Sequence, residues 1–126
     1  MFNMINAIRV LIIEDEVDLG RAVKEIMTYI GAETTLVHDG QVALDWLAQH
    51  VPDCVILDLH LPNVSGLDIL NAIRADERLK ETRVFVVTAD TERLSLAAQQ
   101  ADATLSKPYR VAELVDLLRK FRLRAR

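Results

Sequence analysis

The sequence predicts a doubly wound α/β domain, one five-stranded parallel sheet with helices on both faces. Two observations carry this. Segments 8–13 (IRVLII), 54–57 (CVIL) and 83–87 (RVFVV) are short apolar runs bounded by turn residues, the pattern of strands buried on both faces. Five strand-like segments also alternate with five that carry apolar residues at helical spacing, which specifies parallel pairing with right-handed crossovers. At 126 residues the chain is about one domain long and can bury a single core.

After a short lead over residues 1–7, the first strand (8–13) runs directly into Glu14-Asp15-Glu16. Leu19, Val23, Ile26, Met27 and Ile30 then recur at helical spacing over 17–30, and Gly31 is a natural stop. Glu33–Val37 reads as the second strand, His38-Asp39-Gly40 as a turn, and 41–50 as a helix carrying Ala43, Leu44, Trp46 and Leu47. A Pro-Asp start signal opens the third strand, which stops at Asp58 before a Pro-Asn-x-Ser-Gly turn. Gly66–Ala75 is helical with Leu67, Leu70 and Ile73 inward, and 76–82 reads as a charged surface loop. The fourth strand ends at Thr88-Ala89-Asp90, followed over 91–100 by a weaker helix rich in Ala and Gln. A brief fifth strand over 103–105 ends at Ser106-Lys107-Pro108. An amphipathic helix over 109–121, apolar on Val111, Leu114, Val115 and Leu118, precedes a basic tail at 122–126.

The second strand returns beside the first, and the third must pair on the first strand's other side. The expected order is therefore 2-1-3-4-5, with a crevice between the carboxyl ends of strands one and three. Glu14, Asp15 and Asp58 open into it, and Thr88 and Lys107 stand at the matching ends of strands four and five. Two carboxylates ~5 Å apart repel by roughly 3 kcal/mol at an effective dielectric near 20. Three acids in one crevice are tolerable only if one keeps its proton or a cation joins them. Hard oxygen ligands suit Mg2+, which takes one or two carboxylates, keeps several waters and leaves room for a phosphate oxygen. Three acids and one lysine leave two negative charges, which a divalent cation cancels. Phosphoryl transfer asks for an in-line nucleophile, a metal and a positive group on the equatorial oxygens. Asp58 can be the nucleophile, forming an acyl phosphate, while Lys107 and the Thr88 hydroxyl bind its oxygens.

Composition excludes several alternatives. A net charge of −4 argues against a nucleic-acid-binding surface as the main function. The single cysteine, Cys54, excludes an intrachain disulfide and fits a reducing cytoplasm. No apolar run approaches the ~20 residues of a membrane span, and the first residues lack a secretory pattern. Gly-rich phosphate cradles, a His/Cys metal cluster and a supported Ser-His pair are all missing from the sequence.

These motifs together resemble the receiver domains of bacterial two-component response regulators. The resemblance covers nearly the whole chain, residues 1–126 as one domain. It rests on the acidic pair in LIIEDE, on Asp58 in VILDLHLPNVSGLDIL, on Thr88 in VVTAD and on Lys107 in LSKPY, with Gly40, Pro62 and Gly66 also matching. It implies a flavodoxin-like fold and phosphorylation of Asp58 by a histidine kinase or histidine phosphotransfer protein. Mg2+ is then held by Asp15, Asp58 and the backbone carbonyl of His60, with Glu14 acting through a metal-bound water. In the family the threonine moves to meet the phosphoryl group, and the lysine pairs with it ahead of a usually cis proline, here Pro108. One departure stands out: Thr104 occupies the position, three before the lysine, where the family usually carries an inward-turning Tyr or Phe. The expected output face is therefore 91–105 with the last helix, read by a downstream target, an output domain or a second copy.

Plainer readings exist for each residue. Glu14 and Asp15 can be first-turn acids favoured by the helix dipole, Thr88 a capping residue and Lys107 a solvated lysine. His60 reads as a loop residue, His38 and His50 as surface turn residues, Cys54 as a small core residue and Trp46 as helix packing. Rival functions are an aspartyl-nucleophile phosphatase, which usually wants a second Asp where His60 stands, and a receiver-like binding module that has lost phosphorylation. The Arg-Leu-Arg-Ala-Arg end reads as that of a free-standing receiver, with a fragment cut before an output domain as the alternative.

Overall fold

The computed structural model describes residues 8–121; the lead and the basic tail lie outside the described residues. The elements alternate as β1 (Arg9–Ile13), α1 (Val17–Tyr29), β2 (Glu33–Val37), α2 (Gly40–Leu47), β3 (Cys54–Asp58), α3 (Gly66–Ala75), β4 (Arg83–Thr88), α4 (Thr91–Ala97), β5 (Ala103–Ser106) and α5 (Val111–Lys120). The five strands form one sheet in the order β2-β1-β3-β4-β5, and every pairing is parallel. This is the expected topology, with β1 and β3 adjacent and the crevice at their carboxyl ends.

Alternation along the strands divides the core in two, because successive side chains point to opposite faces. Leu11, Ile13, Val55, Leu57, Val84 and Val86 face α2, α3 and α4, where Leu47, Ile69, Leu70 and Ile73 meet them. Val10, Ile12, Cys54, Ile56, Phe85 and Val87 face α1 and α5, against Val23, Met27, Leu114 and Leu118. Each large side chain buried this way contributes about 1.5–3 kcal/mol. β3 is buried at all five positions, which is why its sequence is an unbroken apolar run up to Asp58. Cys54 is a buried core thiol, as expected.

Several details differ from the sequence reading. The helix expected over 91–100 ends at Ala97, and α2 ends at Leu47 rather than at position 50. The last helix begins at Val111 with Arg110 as its cap, two residues later than expected. The charged loop over 76–82 is not purely surface. Asp76 caps a short 3-10 turn, Glu77–Leu79, that buries Leu79, and the buried Thr82 hydroxyl donates to the Pro52 carbonyl at 2.8 Å. One apolar residue among charges is enough to pull such a loop onto the core. On α3, Ile69 is fully buried alongside Leu70 and Ile73, while Leu67 is half-buried. Among the described residues no helix is long and apolar enough to cross a membrane.

Candidate functional site

Asp58 ends β3, the central strand of the sheet, and its neighbours β1 and β4 deliver Glu14 and Thr88 to the same rim. All three are buried: Glu14 and Asp58 are 2% exposed and Thr88 1%. The chain beyond Asp58 folds straight back over the strand end, with Gly66 N donating to Leu59 O at 3.1 Å. Only a glycine fits there, since a Cβ on Gly66 would stand 2.5 Å from the Asp58 carbonyl oxygen. Gly40 does the same from α2, where a Cβ would stand 2.3 Å from the Val64 carbonyl oxygen. Two glycines legible in the sequence thus let the loop seat closely behind the acid.

Each carboxylate oxygen of Asp58 has its own donor. Oδ1 accepts from the His60 backbone N–H at 3.0 Å, and Oδ2 accepts from Lys107 Nζ at 3.0 Å. Lys107 reaches across from the end of β5, whose backbone is tied to β4 by Lys107 N donating to Thr88 O at 2.9 Å. The Lys107–Pro108 peptide is cis, as the resemblance implied. The same ammonium lies 3.1 Å from Glu14 and 3.3 Å from Glu16 Oε2. Glu14 also accepts from the Glu16 backbone N–H at 3.1 Å. Thr88 Oγ1 accepts from Asp90 N at 3.1 Å, so its hydroxyl is held by the loop that begins α4.

The crowding has an electrostatic consequence. Burial first, then the hydrogen bond and charge of Asp58, push the Glu14 carboxyl from its ordinary 4.5 up to about 7, with the Glu16 N–H and Lys107 pulling the other way. Glu14 therefore holds its proton up to about neutral pH when no cation is present. For Lys107, burial alone lowers the pKa, but the hydrogen bonds and charges of Asp58 and Glu14 outweigh it, and the ammonium is held well above its ordinary range. Tyr109, half-buried against the α1/α5 side of the core, is pushed up to about 12 by burial and then by the charge of Glu14.

Glu14, Asp15 and Asp58 each offer an oxygen within 4.8 Å of the others. Three hard oxygen donors at that spacing, two of them buried, fit a small divalent cation such as Mg2+. Asp15, Asp58, His60, Thr88 and Lys107 line one open cleft. The six residues singled out from the sequence are brought to one place. His60 contributes its backbone N–H to Asp58, while its side chain is exposed.

Two further residues join the site. Glu16, the third acid of LIIEDE, places its side chain as a direct partner of Lys107. It adds a further negative charge to the set, though an exposed one. His38 is an exposed turn residue, as the sequence suggests, and its ring Nδ1 lies 2.9 Å from the Glu14 carbonyl oxygen. Thr104 is half-buried on β5 opposite Val86, so no aromatic ring occupies that position.

A family model, the response regulator receiver domain, matches residues 10–119. The transcriptional regulatory protein TrcR of Mycobacterium tuberculosis is 36% identical over 114 residues, spanning 89% of this chain and 44% of that protein. The polar-differentiation response regulator DivK of Brucella ovis is 31% identical over 117 residues, spanning 89% of this chain and 94% of DivK. The chain is thus less than half the length of one relative and matches nearly all of the other. Among solved structures, the response regulator TrrA of Thermotoga maritima, in complex with Mg2+-BeF, is 29% identical with a TM-score of 0.79, covering 89% of this chain and 96% of TrrA. The chemotaxis response regulator CheY4 of Vibrio cholerae, at 24% identity and a TM-score of 0.84, covers 91% of this chain and 98% of its own and shares the fold. With the match running from β1 to the end of α5, this chain belongs to the family of response regulator receiver domains.

Proposed function

We propose that the chain is a phosphorylation-controlled switch whose phosphoacceptor is Asp58. The observation that carries this reading is the pairing of Asp58 Oδ2 with Lys107 Nζ at 3.0 Å, inside a carboxylate set spaced for a divalent cation. An Asp carboxylate attacks the phosphorus of a phosphohistidine on a histidine kinase or histidine phosphotransfer protein. The new O–P bond makes an acyl phosphate, the P–N bond breaks, and its electron pair stays on the donor imidazole. Asp15 and Asp58, with the His60 backbone carbonyl, would hold Mg2+ directly, and Glu14 would act through a bound water. The cation supplies charge neutralisation on the transferring oxygens. Lys107 is already on Asp58 and turns to the phosphoryl oxygens, and Thr88 supplies its hydroxyl once it leaves Asp90 N. The complex of TrrA with Mg2+-BeF supports this reading, since beryllium fluoride imitates a tetrahedral phosphoryl group.

The output face on this reading is α4, β5 and α5, read by a downstream target, an output domain or a second copy. On α4, Leu96 is 66% exposed, an apolar side chain left at the surface of that helix.

The test is incubation with acetyl phosphate and Mg2+, followed by intact-mass spectrometry. A switch gains one labile phosphoryl group per chain, and Asp58→Asn gains none. Continuous turnover of the donor would instead identify a phosphatase. Undiminished incorporation in Asp58→Asn would remove Asp58 as the acceptor.

A further inference from the structure

We propose that His38 is a positioning residue for the metal-binding acids, acting by fixing the peptide plane between Glu14 and Asp15. The inference rests on the metal reading given under Proposed function. Its basis is how the β1–α1 turn is anchored. Glu14 N donates to Val37 O at 3.0 Å, continuing the β1–β2 ladder by one bond. His38, the next residue after Val37, then places its ring Nδ1 2.9 Å from the Glu14 carbonyl oxygen. A carbonyl can only accept, so the ring nitrogen facing it carries the hydrogen. Both backbone groups of Glu14 are thereby held by adjacent residues at the end of β2.

Asp15 has no such anchor of its own among the hydrogen bonds described; its position follows from the peptides on either side. The peptide after it is held by Glu16 N donating to the Glu14 carboxylate at 3.1 Å. That carboxylate is itself one of the cation-binding set and is free to change partners when a cation arrives. Among the described residues, the peptide before it is held by His38, through a group that belongs to no acid. His38 is therefore the contact that keeps Asp15 aimed at Asp58 whether or not the site is loaded. Outer-shell hydrogen bonds of this kind set the orientation of metal ligands.

The experiment is Mg2+ titration by calorimetry on wild type, His38→Ala, His38→Asn and His38→Gln, with thermal unfolding of each in EDTA. An Asn amide nitrogen can occupy the place of imidazole Nδ1, whereas a Gln amide reaches the place of Nε2. The expected result is a loss of Mg2+ affinity in His38→Ala of roughly three- to tenfold, below the range for buried outer-shell partners because the ring is exposed. His38→Asn should lie within about twofold of wild type, His38→Gln should resemble His38→Ala, and all four should melt alike in EDTA. Wild-type affinity in His38→Ala overturns the proposal alone. So does an Asn variant as weak as Ala, which would show that the affinity does not depend on the hydrogen bond to the Glu14 carbonyl. A fall in affinity matched by an equal loss of melting temperature in EDTA assigns His38 a general structural role instead. Absence of Mg2+ binding in wild type overturns the metal reading, and this inference with it.

Discussion

Arg74, near the end of α3, meets Asp102 at the start of β5 with Nη2 and Oδ2 2.9 Å apart, and its other two nitrogens serve backbone carbonyls. Nε donates to Gln100 O at 2.8 Å and Nη1 to Thr82 O at 2.9 Å. Asp102 in turn accepts from Val84 N at 2.7 Å and from Arg83 at 3.0 Å. One guanidinium thus ties α3 to the start of β4 and to the turn between α4 and β5. Breaking a buried ion pair from one side costs about 3–5 kcal/mol. Both side chains here keep some solvent, 23% and 16%, so Arg74→Ala should cost less, about 2–3 kcal/mol, by urea denaturation. Arg74→Lys should restore under half of that, because one ammonium cannot reach three acceptors in fixed directions. A cost below about 0.5 kcal/mol would mean that water takes over these bonds.

Phosphorylation should move α4 from its beginning and not from its end. Asp90 caps the helix, and Asp90 N is bonded to Thr88 Oγ1, so a shift of Thr88 toward the phosphoryl group releases the cap. The segment after α4 stays clamped by Arg74. Thr104 offers far less apolar area than the aromatic ring usual in the family, whose burial is worth about 1.5–3 kcal/mol, so on the proposed function the helix should carry the signal. α4 suits this: of its seven residues only Ala97 is buried. Hydrogen exchange with and without beryllium fluoride should change over 90–97 and stay constant over 100–102. Changes confined to the loops at Glu14, Asp58 and Thr88 would place the output face elsewhere.

Removal of Asp15 should weaken Mg2+ by roughly tenfold or more, since it takes away a direct ligand rather than an outer partner. Calorimetry is the measurement, because Trp46 cannot report on the site. Its ring is stacked on His50 at 4.2 Å, beside Arg9 at the opposite end of the strands. Equal affinity in wild type and Asp15→Ala would leave Asp15 as an ordinary first-turn acid.

Glu14 makes metal-free stability depend on pH. Its folded-state value of about 7 lies above its ordinary 4.5, so the folded chain keeps a proton that the unfolded chain releases. This contribution is full below about pH 4.5 and is lost as pH rises through about 7. The raised Lys107 adds no slope in that window, because its contribution persists until near its ordinary value of 10.5. In EDTA the protein should lose on the order of 2 kcal/mol between about pH 5 and about pH 8. Glu14→Gln should abolish most of this slope and melt higher than wild type at the alkaline end. Saturating Mg2+ should flatten the wild-type slope, as the cation takes the place of the proton. A wild type with no slope in EDTA would show that Glu14 ionises freely in the folded state.

The strand order and the acidic rim were readable in the chain because both depend on short-range pattern. IRVLII, CVIL and RVFVV each place their own strand, and the polar residue following each run is automatically at a strand end. Asp58, Thr88 and Lys107 are found by counting along one segment at a time, and Gly40 and Gly66 mark where the backbone has to come close. What the chain could not display are bonds between segments far apart in sequence. Lys107 to Glu16 spans 91 positions, Arg74 to Asp102 spans 28, and His38 to Glu14 spans 24. Each depends on how long, flexible side chains divide among several partners once the sheet has brought strand ends and helix ends together. Glu16, His38 and Arg74 look like ordinary surface residues in a local window. Tertiary packing alone decided that one shares Lys107 with Asp58, one contacts the acidic turn and one anchors the segment after α4. Past the end of that helix at Ala97, Arg74 and Asn71 of α3 both hold Gln100, another contact that no local window shows.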